Sequence, residues 1–484
     1  MKKKSVVFIE TTGNRTNVFD NYMRLPLMGS LYLGTILHNQ GYDVRIFNEN
    51  ILGREIDPFE IQADVFCITA LTISANRAKL LASQFKKIYP DSKVIVGGIH
   101  ASLLPEEFTD VADHVVLGEA EEIIVDIIEN KFDDKIINGS RIADLEKLPV
   151  VNYGLLEDVE TLYIMPIMTS RGCPFDCSFC TVTKIFGRKF RMQSAKRIVE
   201  EIENAIGFFN KNEFFFYDDN FTADKARIHE LCDIIIAKKL DIIWGAQVRA
   251  DLAKDSELVK KMTKAGLKGL YIGFESIDDE ILKALHKSQT RSDIESAIKQ
   301  FHEYGVHIHG MFIFGEDHDT VENISNTVDF AIKNEIDTVQ FMILTPFPGT
   351  QCYEQLEKEN RLFHKDWDYY NGMFAVFQTK KISPAKLTKE TYRAYRKFYS
   401  LRRTLLDSLS MAFNVFINAL VWNFKEANRY NIKNLFLRVG AKTLVVKYSD
   451  IYNSYLKYLR DIERRAVLKT GVRKFQDYSK SDSL

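Results

Sequence analysis

The sequence predicts an α/β protein: a Rossmann-like parallel sheet at the N-terminus, a (β/α)6 partial barrel after it, and a helical C-terminal region. Three observations predict this. Short apolar runs alternate with amphipathic segments through about residue 130. The same alternation restarts at Tyr163 and runs to about residue 380, and strands interleaved with helical patterns build parallel βαβ units. From about residue 381 only helical periodicity is left. The divisions are therefore 1–130, a connecting stretch 131–162, 163–380 and 381–484. Hydrophobic content of 46% and charged content of 27% exclude a disordered chain.

In the first unit, strands are predicted at Val6–Ile9, Asp43–Phe47, Val65–Thr69, Lys93–Val96 and His114–Leu117. Helices are predicted at Leu31–Asn39, ended by Gly41, at Ala75–Ile88, ended by Pro90, and at Ala120–Glu129. Ligands of such sheets bind at the carboxyl ends of the strands. The loops there are Thr69-Ala70-Leu71-Thr72, Gly97-Gly98-Ile99-His100-Ala101 and Leu117-Gly118-Glu119-Ala120-Glu121. A G-x-G-x-x-G dinucleotide fingerprint after the first strand is absent. The stretch 131–162 has a turn at Asn138-Gly139-Ser140 and no clear periodicity, so it reads as a linker.

In the second unit, strands are predicted at Tyr163–Met168, Glu213–Tyr217, Ile242–Val248, Gly269–Glu275, His307–Phe314 and Thr338–Leu344. Helices at Ala195–Phe209, Lys225–Lys238, Ser256–Ala265, Asp293–Tyr304 and Val321–Lys333 lie between them. The first of these strands runs into Arg171-Gly172-Cys173-Pro174-Phe175-Asp176-Cys177-Ser178-Phe179-Cys180-Thr181. Half of the six cysteines, Cys173, Cys177 and Cys180, sit here at spacing C-x3-C-x2-C. Thiolates suit iron–sulfur clusters or zinc, but structural zinc takes four protein ligands and no fourth cysteine is near. Three thiolates on a four-iron cluster leave one iron open. Cys67, Cys232 and Cys352 read as packing residues.

This stretch resembles the cluster-binding loop of the radical S-adenosylmethionine (SAM) superfamily, including Phe179 before the third cysteine. The resemblance implies a [4Fe–4S] cluster whose open iron is chelated by SAM, and reductive cleavage of SAM to a 5′-deoxyadenosyl radical. It implies an electron donor such as a flavodoxin or ferredoxin. The strand-end motifs fall where that family places its SAM contacts. Asp218-Asp219-Asn220 would accept the SAM amino group, although Asn220 and Thr222 would also serve as a helix N-cap. Arg249 suits the SAM carboxylate, or pairs with Asp251 at the surface. Glu275 and Ser276 match a motif near the ribose and methionine, and Met311 and Gly315 one near the adenine. His307 and His309 alternate on one strand face and read as core residues ahead of substrate contacts.

The first unit resembles the cobalamin-binding domain that precedes the radical SAM core in one large subfamily, through Gly-Gly-x-His-Ala-Ser, Leu-Gly-Glu and Leu31-Tyr32-Leu33-Gly34. It implies cobalamin contacts from Thr69, Leu71, Thr72, Gly97, Gly98, His100, Gly118 and Glu119. His100 would touch the corrin edge or cap its helix. The D-x-H-x-x-G cobalt-ligand motif is not met, because Ile36 stands where its Asp belongs. His38 is therefore rejected as a ligand.

Net charge is −1 overall, but the segment from Leu401 has 16 Lys and Arg against 7 Asp and Glu, a net +9 that leaves −10 for the rest. With the apolar stretch Leu405–Phe424, this end either packs internally or meets an anionic membrane surface. Ser5–Ile9 is too short for a signal-peptide core, and clustered cysteines fit a reducing compartment. A cytoplasmic enzyme is expected, with or without peripheral membrane contact and with no nucleic-acid motif. Its expected activity is methyl transfer to an unactivated carbon of a hydrophobic or lipid-like small molecule. A cyclase, oxidase or carbon–carbon coupling enzyme with the same cofactors, or a non-catalytic cobalamin or redox sensor, is the alternative. A methylthiotransferase would need a second cysteine trio upstream, where only Cys67 lies.

Overall fold

The computed structural model describes residues 3–13, 24–400 and 449–470. Its first sheet holds β1 (Ser5–Glu10), β2 (Asp43–Asn48), β3 (Val65–Thr69), β4 (Lys93–Gly97), β5 (His114–Leu117) and β6 (Ile136–Asn138). The order is β2-β1-β3-β4-β5-β6, and every pair is parallel. The winding reverses between β1 and β3, which opens a crevice at the carboxyl end of the sheet. Val6, Phe8, Ile9, Phe66, Val94, Val96 and Val115 are buried to within 2%. Helices cover both faces, so these strands are apolar runs more than alternating patterns. The edge strand β6 lies in the stretch expected to be linker. It spans three residues, too few for a periodic signal, and pairs Ile136 with Val115.

The second sheet contains β7 (Met165–Ile167), then a short antiparallel ladder of β8 (Ser170–Arg171) and β9 (Arg191–Met192) that stands apart from it. It continues with β10 (Glu213–Phe216), β11 (Ile243–Val248), β12 (Leu267–Glu275), β13 (His307–Phe314) and β14 (Thr338–Ile343). The order β14-β13-β12-β11-β10-β7 is sequential and parallel, an open six-stranded barrel segment. The five expected helices are present, and each starts where a side chain accepts the first free amides: Ser194 from Arg197, Asp224 from Arg227, Asp255 from Leu258, Thr290 from Asp293, Thr320 from Asn323. The cap after β10 is thus Asp224, and neither Asn220 nor Thr222 provides it. Along β11, β13 and β14 buried and half-buried residues alternate, which sets one face on the helices and the other on the barrel interior.

The outer edge, β14, is closed by side chains. The Tyr395 hydroxyl accepts from Phe341 N and the Tyr399 hydroxyl from Val339 N, both at 2.9 Å. Tyr395 lies in the helix Pro384–Phe398 and Tyr399 caps its end, so these edge amides are satisfied without another strand. Helix Ser449–Thr470 returns to the barrel, with Tyr455 stacked on Tyr369 at 4.6 Å. The expected apolar helix Leu405–Phe424 and the basic positions Lys433 to Lys447 lie outside the described residues. Among the described residues, no helix is long and apolar enough to cross a membrane.

Candidate active site

The carboxyl ends of the two sheets face one cavity of about 420 Å³. Thr69, Leu71, Gly97, Gly98, Gly118 and Glu119 of the first sheet's loops line it, with Phe8, Leu27, Met28 and Leu33. From the other side come Met168, Ser170, Arg171, Tyr217, Asp219 and Gln247. Gly98 shows why glycine stands there: its φ is +98°, and a Cβ would meet Ala70 O at 2.8 Å and Thr69 Cγ2 at 2.9 Å. The loop backbones can press together only without a side chain. No histidine is among the lining residues.

Two of the eight residues assigned to this rim by the sequence do not reach it. His100 is fully buried behind the loop, 3.2 Å from Thr72 Oγ1 through Nδ1 and 3.5 Å from Glu107 Oε2 through Nε2. Its ring lies edge-on to Trp367 at 4.8 Å, and Trp367 Nε1 donates to the same Glu107 carboxylate. The corrin-edge role for His100 is corrected accordingly: it packs the first sheet against residues that follow the barrel. Thr72 is buried as its partner. His38 is exposed, away from the cavity.

The cysteines occupy the loop from Gly172 to Phe190, between β8 and β9. Gly172 has φ +88°, and a Cβ there would meet Lys189 O at 2.6 Å, so the entry to the loop demands glycine. Cys173, Cys177 and Cys180 are half-buried and carry free thiols. Burial raises Cys173 and pushes Cys180 up to about 12, a cost that coordination to iron removes. No three His, Cys, Asp or Glu among the described residues converge on one metal ion. A cubic cluster does not ask that of them, since each thiolate binds a different iron. The donor set, three thiols on an irregular half-buried loop, fits such a cluster. The loop is braced by Ser178 N donating to Leu285 O and Cys352 N donating to Ser178 O.

The paired aspartates after β10 part company. Asp218 is 1% exposed and accepts from Thr169 N, Thr169 Oγ1 and Ser170 Oγ, with buried Arg227 as its counter-charge. Its carboxylate is committed to the strand end that leads to the cysteines, so it is corrected to a brace. Asp219 opens into the cavity and lies within electrostatic range of Cys173 and Cys180. The protein crowded around it, with Asp218 adding repulsion, pushes its pKa up to about 7. Asn220 is buried, and its Oδ1 has no partner.

The Arg249 guanidinium lies over the Phe175 ring of the cysteine loop, 3.7 Å from its centroid; its buried Nε makes no hydrogen bond but pairs with Asp251 Oδ1 at 3.8 Å, and Nη2 donates to Ser288 O at 3.4 Å. Glu275 is a non-glycine residue at φ +60°, at a bulge where β12 loses register with β13. Lys287 Nζ donates to its Oε1 at 2.8 Å, and both are buried. A Cβ on Gly273 would meet that oxygen at 2.4 Å, so the glycine is the seat of the pair. A strained residue held by a buried counter-charge is a feature of functional sites. Ser276 Oγ accepts from Asp278 N, and Met311 sits on the half-buried face of β13 beside Gly273. Gly315 has φ +102° and donates its N–H to Asp319. Phe179 is half-buried against the core. His309 is half-buried, and loss of solvation depresses its imidazole to about 4; His307 pairs with Asp337 at 2.8 Å.

Sequence reasoning missed Tyr217, Gln247, Glu121, Arg191 and Lys287. The first two follow from strand-end position. The others are visible only through partners distant in sequence.

The radical SAM superfamily model matches residues 167–360, and the B12 binding domain model matches residues 19–128. The chain is 30% identical over 364 residues to bacteriochlorophyllide d C-8(2)-methyltransferase of Chlorobaculum tepidum, covering 72% of this chain and 80% of that one. It is 27% identical over 373 residues to the anaerobic magnesium-protoporphyrin IX monomethyl ester cyclase of Cereibacter sphaeroides, covering 70% and 60%. Among solved structures, the cobalamin-dependent S-adenosylmethionine radical enzyme OxsB, with aqua-cobalamin and S-adenosylmethionine bound, superposes with a TM-score of 0.66. The sequences are 16% identical, with 97% of this chain and 81% of that chain covered.

Proposed function

The chain belongs to the cobalamin-binding methyltransferase branch of the radical SAM superfamily, and from that premise we propose that it methylates an unactivated carbon of a hydrophobic small molecule held between its two sheets. Its cofactors are a [4Fe–4S] cluster, SAM and cobalamin. When bound, the cluster supplies the electron for reductive SAM cleavage and cobalamin supplies the methyl group. The observation that carries the reading is the shared cavity. Radical formation at one site and methyl delivery from another serve a single substrate carbon only when both flank it.

Each residue then has a task. Cys173, Cys177 and Cys180 would hold the cluster. Asp219 accepts the SAM ammonium. Arg249, whose guanidinium sits over Phe175 and makes only long contacts with Asp251 and Ser288, takes the SAM carboxylate. Glu275, held by Lys287, accepts a ribose hydroxyl, and Met311 and the Gly315 backbone flank the adenine. Thr69, Leu71, Gly97, Gly98 and Gly118 would seat the corrin through backbone and uncharged side chains. Residues 1–130 and 163–380 act as the two cofactor-carrying domains. A small-molecule substrate and an external reductant complete the reaction; a hydrophobic substrate is supported by Phe8, Leu27, Met28, Leu33, Ile95 and Met168 in the wall. The basic segment from Leu401 brings the enzyme to an anionic membrane where such a substrate resides.

The test is anaerobic turnover of reconstituted protein with methyl-labelled SAM and a hydrophobic extract. Label in an extractable product is expected. Formation of 5′-deoxyadenosine with no label in any product would favour the cyclase-like reading, and no 5′-deoxyadenosine at all would leave a sensor. Flotation with anionic vesicles tests the membrane contact: recovery with the vesicles at low salt is expected, and protein left in the soluble fraction would refute it.

A further inference from the structure

The carboxylate of Glu119 does more than line the cavity. It belongs to the loop after β5 in the first sheet, yet three of its contacts are to arginines on the other side. Arg171 Nη1 donates to Oε2 at 2.9 Å, Arg191 Nη1 donates to Oε2 at 2.8 Å, and Arg191 Nη2 donates to Oε1. The backbone of Ile142 adds a fourth donor at 3.1 Å. Arg171 and Arg191 are directly opposed across the β8–β9 ladder, the neck of the loop that carries the cysteines. Both side chains and Glu119 are at least 94% buried. Burial opposes ionisation of Glu119, but the Arg191 hydrogen bonds and the two guanidinium charges outweigh it and keep the carboxyl below its usual range. Glu121 takes the remaining side of Arg171. Beyond β6, Arg141 also reaches the cysteine loop, donating to Ile185 O and Lys184 O, both at 3.1 Å.

A two-residue ladder is too short to hold a long irregular loop closed by itself. A single buried carboxylate that bridges both strands supplies what the ladder lacks, and removing it would leave two buried cations facing each other. We propose that Glu119 staples the neck of the cysteine loop from the opposite domain, as a positioning residue for the cluster and not as a contact for cobalamin. Cluster retention then depends on the integrity of the first sheet's last loop. The proposal rests on the cluster assignment above, but its test need not.

Lys184, Arg188 and Lys189 are exposed within the loop, so trypsin reports its opening in cofactor-free protein. Glu119→Gln is compared with wild type, and Arg191→Lys serves as a second variant that keeps the charge and loses the fork. Tryptic cleavage within residues 182–190 is expected to accelerate about tenfold or more in Glu119→Gln, and less in Arg191→Lys. In reconstituted protein, chelator should strip iron from Glu119→Gln faster by a similar factor, while the cobalamin spectrum and dissociation constant stay within about threefold of wild type. Cleavage at the wild-type rate would overturn the staple. So would a selective loss of cobalamin affinity with normal iron retention, since Glu119 would then be a cofactor contact. If wild type itself takes up no cluster, the family reading fails and the trypsin arm still decides the staple. Should Glu119→Gln fail to fold, Arg191→Lys carries the same comparison.

Discussion

The two sheets present their strand ends to the same cavity and do so with opposite chemistry. The rim of the first is made of backbone, glycine and apolar side chains, with Gly98 and Gly118 at positive φ and the Glu119 carboxylate turned onto arginines. The rim of the second concentrates ionisable groups in buried positions: Asp218, Arg227, Arg249, Glu275 and Lys287 are each less than 10% exposed. A large cofactor with a neutral corrin edge can be held by shape and backbone hydrogen bonds. A small zwitterion such as SAM must be oriented by fixed charges, and these remain effective because little water reaches them. Architecture decides where ligands bind, and side-chain chemistry decides which.

The largest break in this comparison comes from the cysteines. Cys177→Ala should reduce iron content and 5′-deoxyadenosine formation to background while the cobalamin absorption spectrum persists. Loss of cobalamin as well would show that the rims are not separable. Next, Asp218 and Asp219 should separate cleanly. Asp218→Ala leaves the buried donors of Thr169 and Ser170 without their acceptor and should cost about 1–3 kcal/mol in denaturant unfolding. Asp219→Asn should unfold like wild type but raise the SAM dissociation constant about 10–100-fold in equilibrium binding. Equal effects of the two would erase the distinction between brace and ligand.

Gly98→Val tests the other rim. A side chain at φ +98° with backbone at 2.8 Å should cost about 1–3 kcal/mol. It should also lower cobalamin retention in gel filtration without changing iron content. The smallest effect is a pH dependence beside the SAM motif. Asp319 is buried beneath Gly315, and burial, with Glu316 adding repulsion, pushes its pKa up to about 7. The fold therefore favours its protonated form. That contribution is complete below about pH 4 and is lost as pH rises to about 7. Asp319→Asn should match wild type most closely in thermal melts near pH 4 and exceed its stability at pH 8 by about 2–4 kcal/mol. A constant difference between the two pH values would assign the shift to another group.

The elements themselves were legible. All eleven expected strands and the barrel helices fall within a few residues of their sequence-based ranges, because hydropathy period is a local property. The exceptions are instructive: β6 is too short to show a period, and the expected helix Ala120–Glu129 is helical only over Ile124–Ile128, its first part being the turn that aims Glu119 and Glu121.

From the order of residues alone came the two parallel units, the cysteine loop at the end of β7 and the family that such a loop implies. Spacing and period require no knowledge of what lies across the molecule. Folding decided which of Asp218 and Asp219 is free, that His100 faces Trp367 instead of the cavity, and that Glu119 grips Arg171 and Arg191. Such outcomes depend on which partner a side chain meets, and the partners here are separated by about fifty to several hundred residues of chain. Only close packing of the two sheets brings them within the few ångströms over which hydrogen bonds and buried charges act.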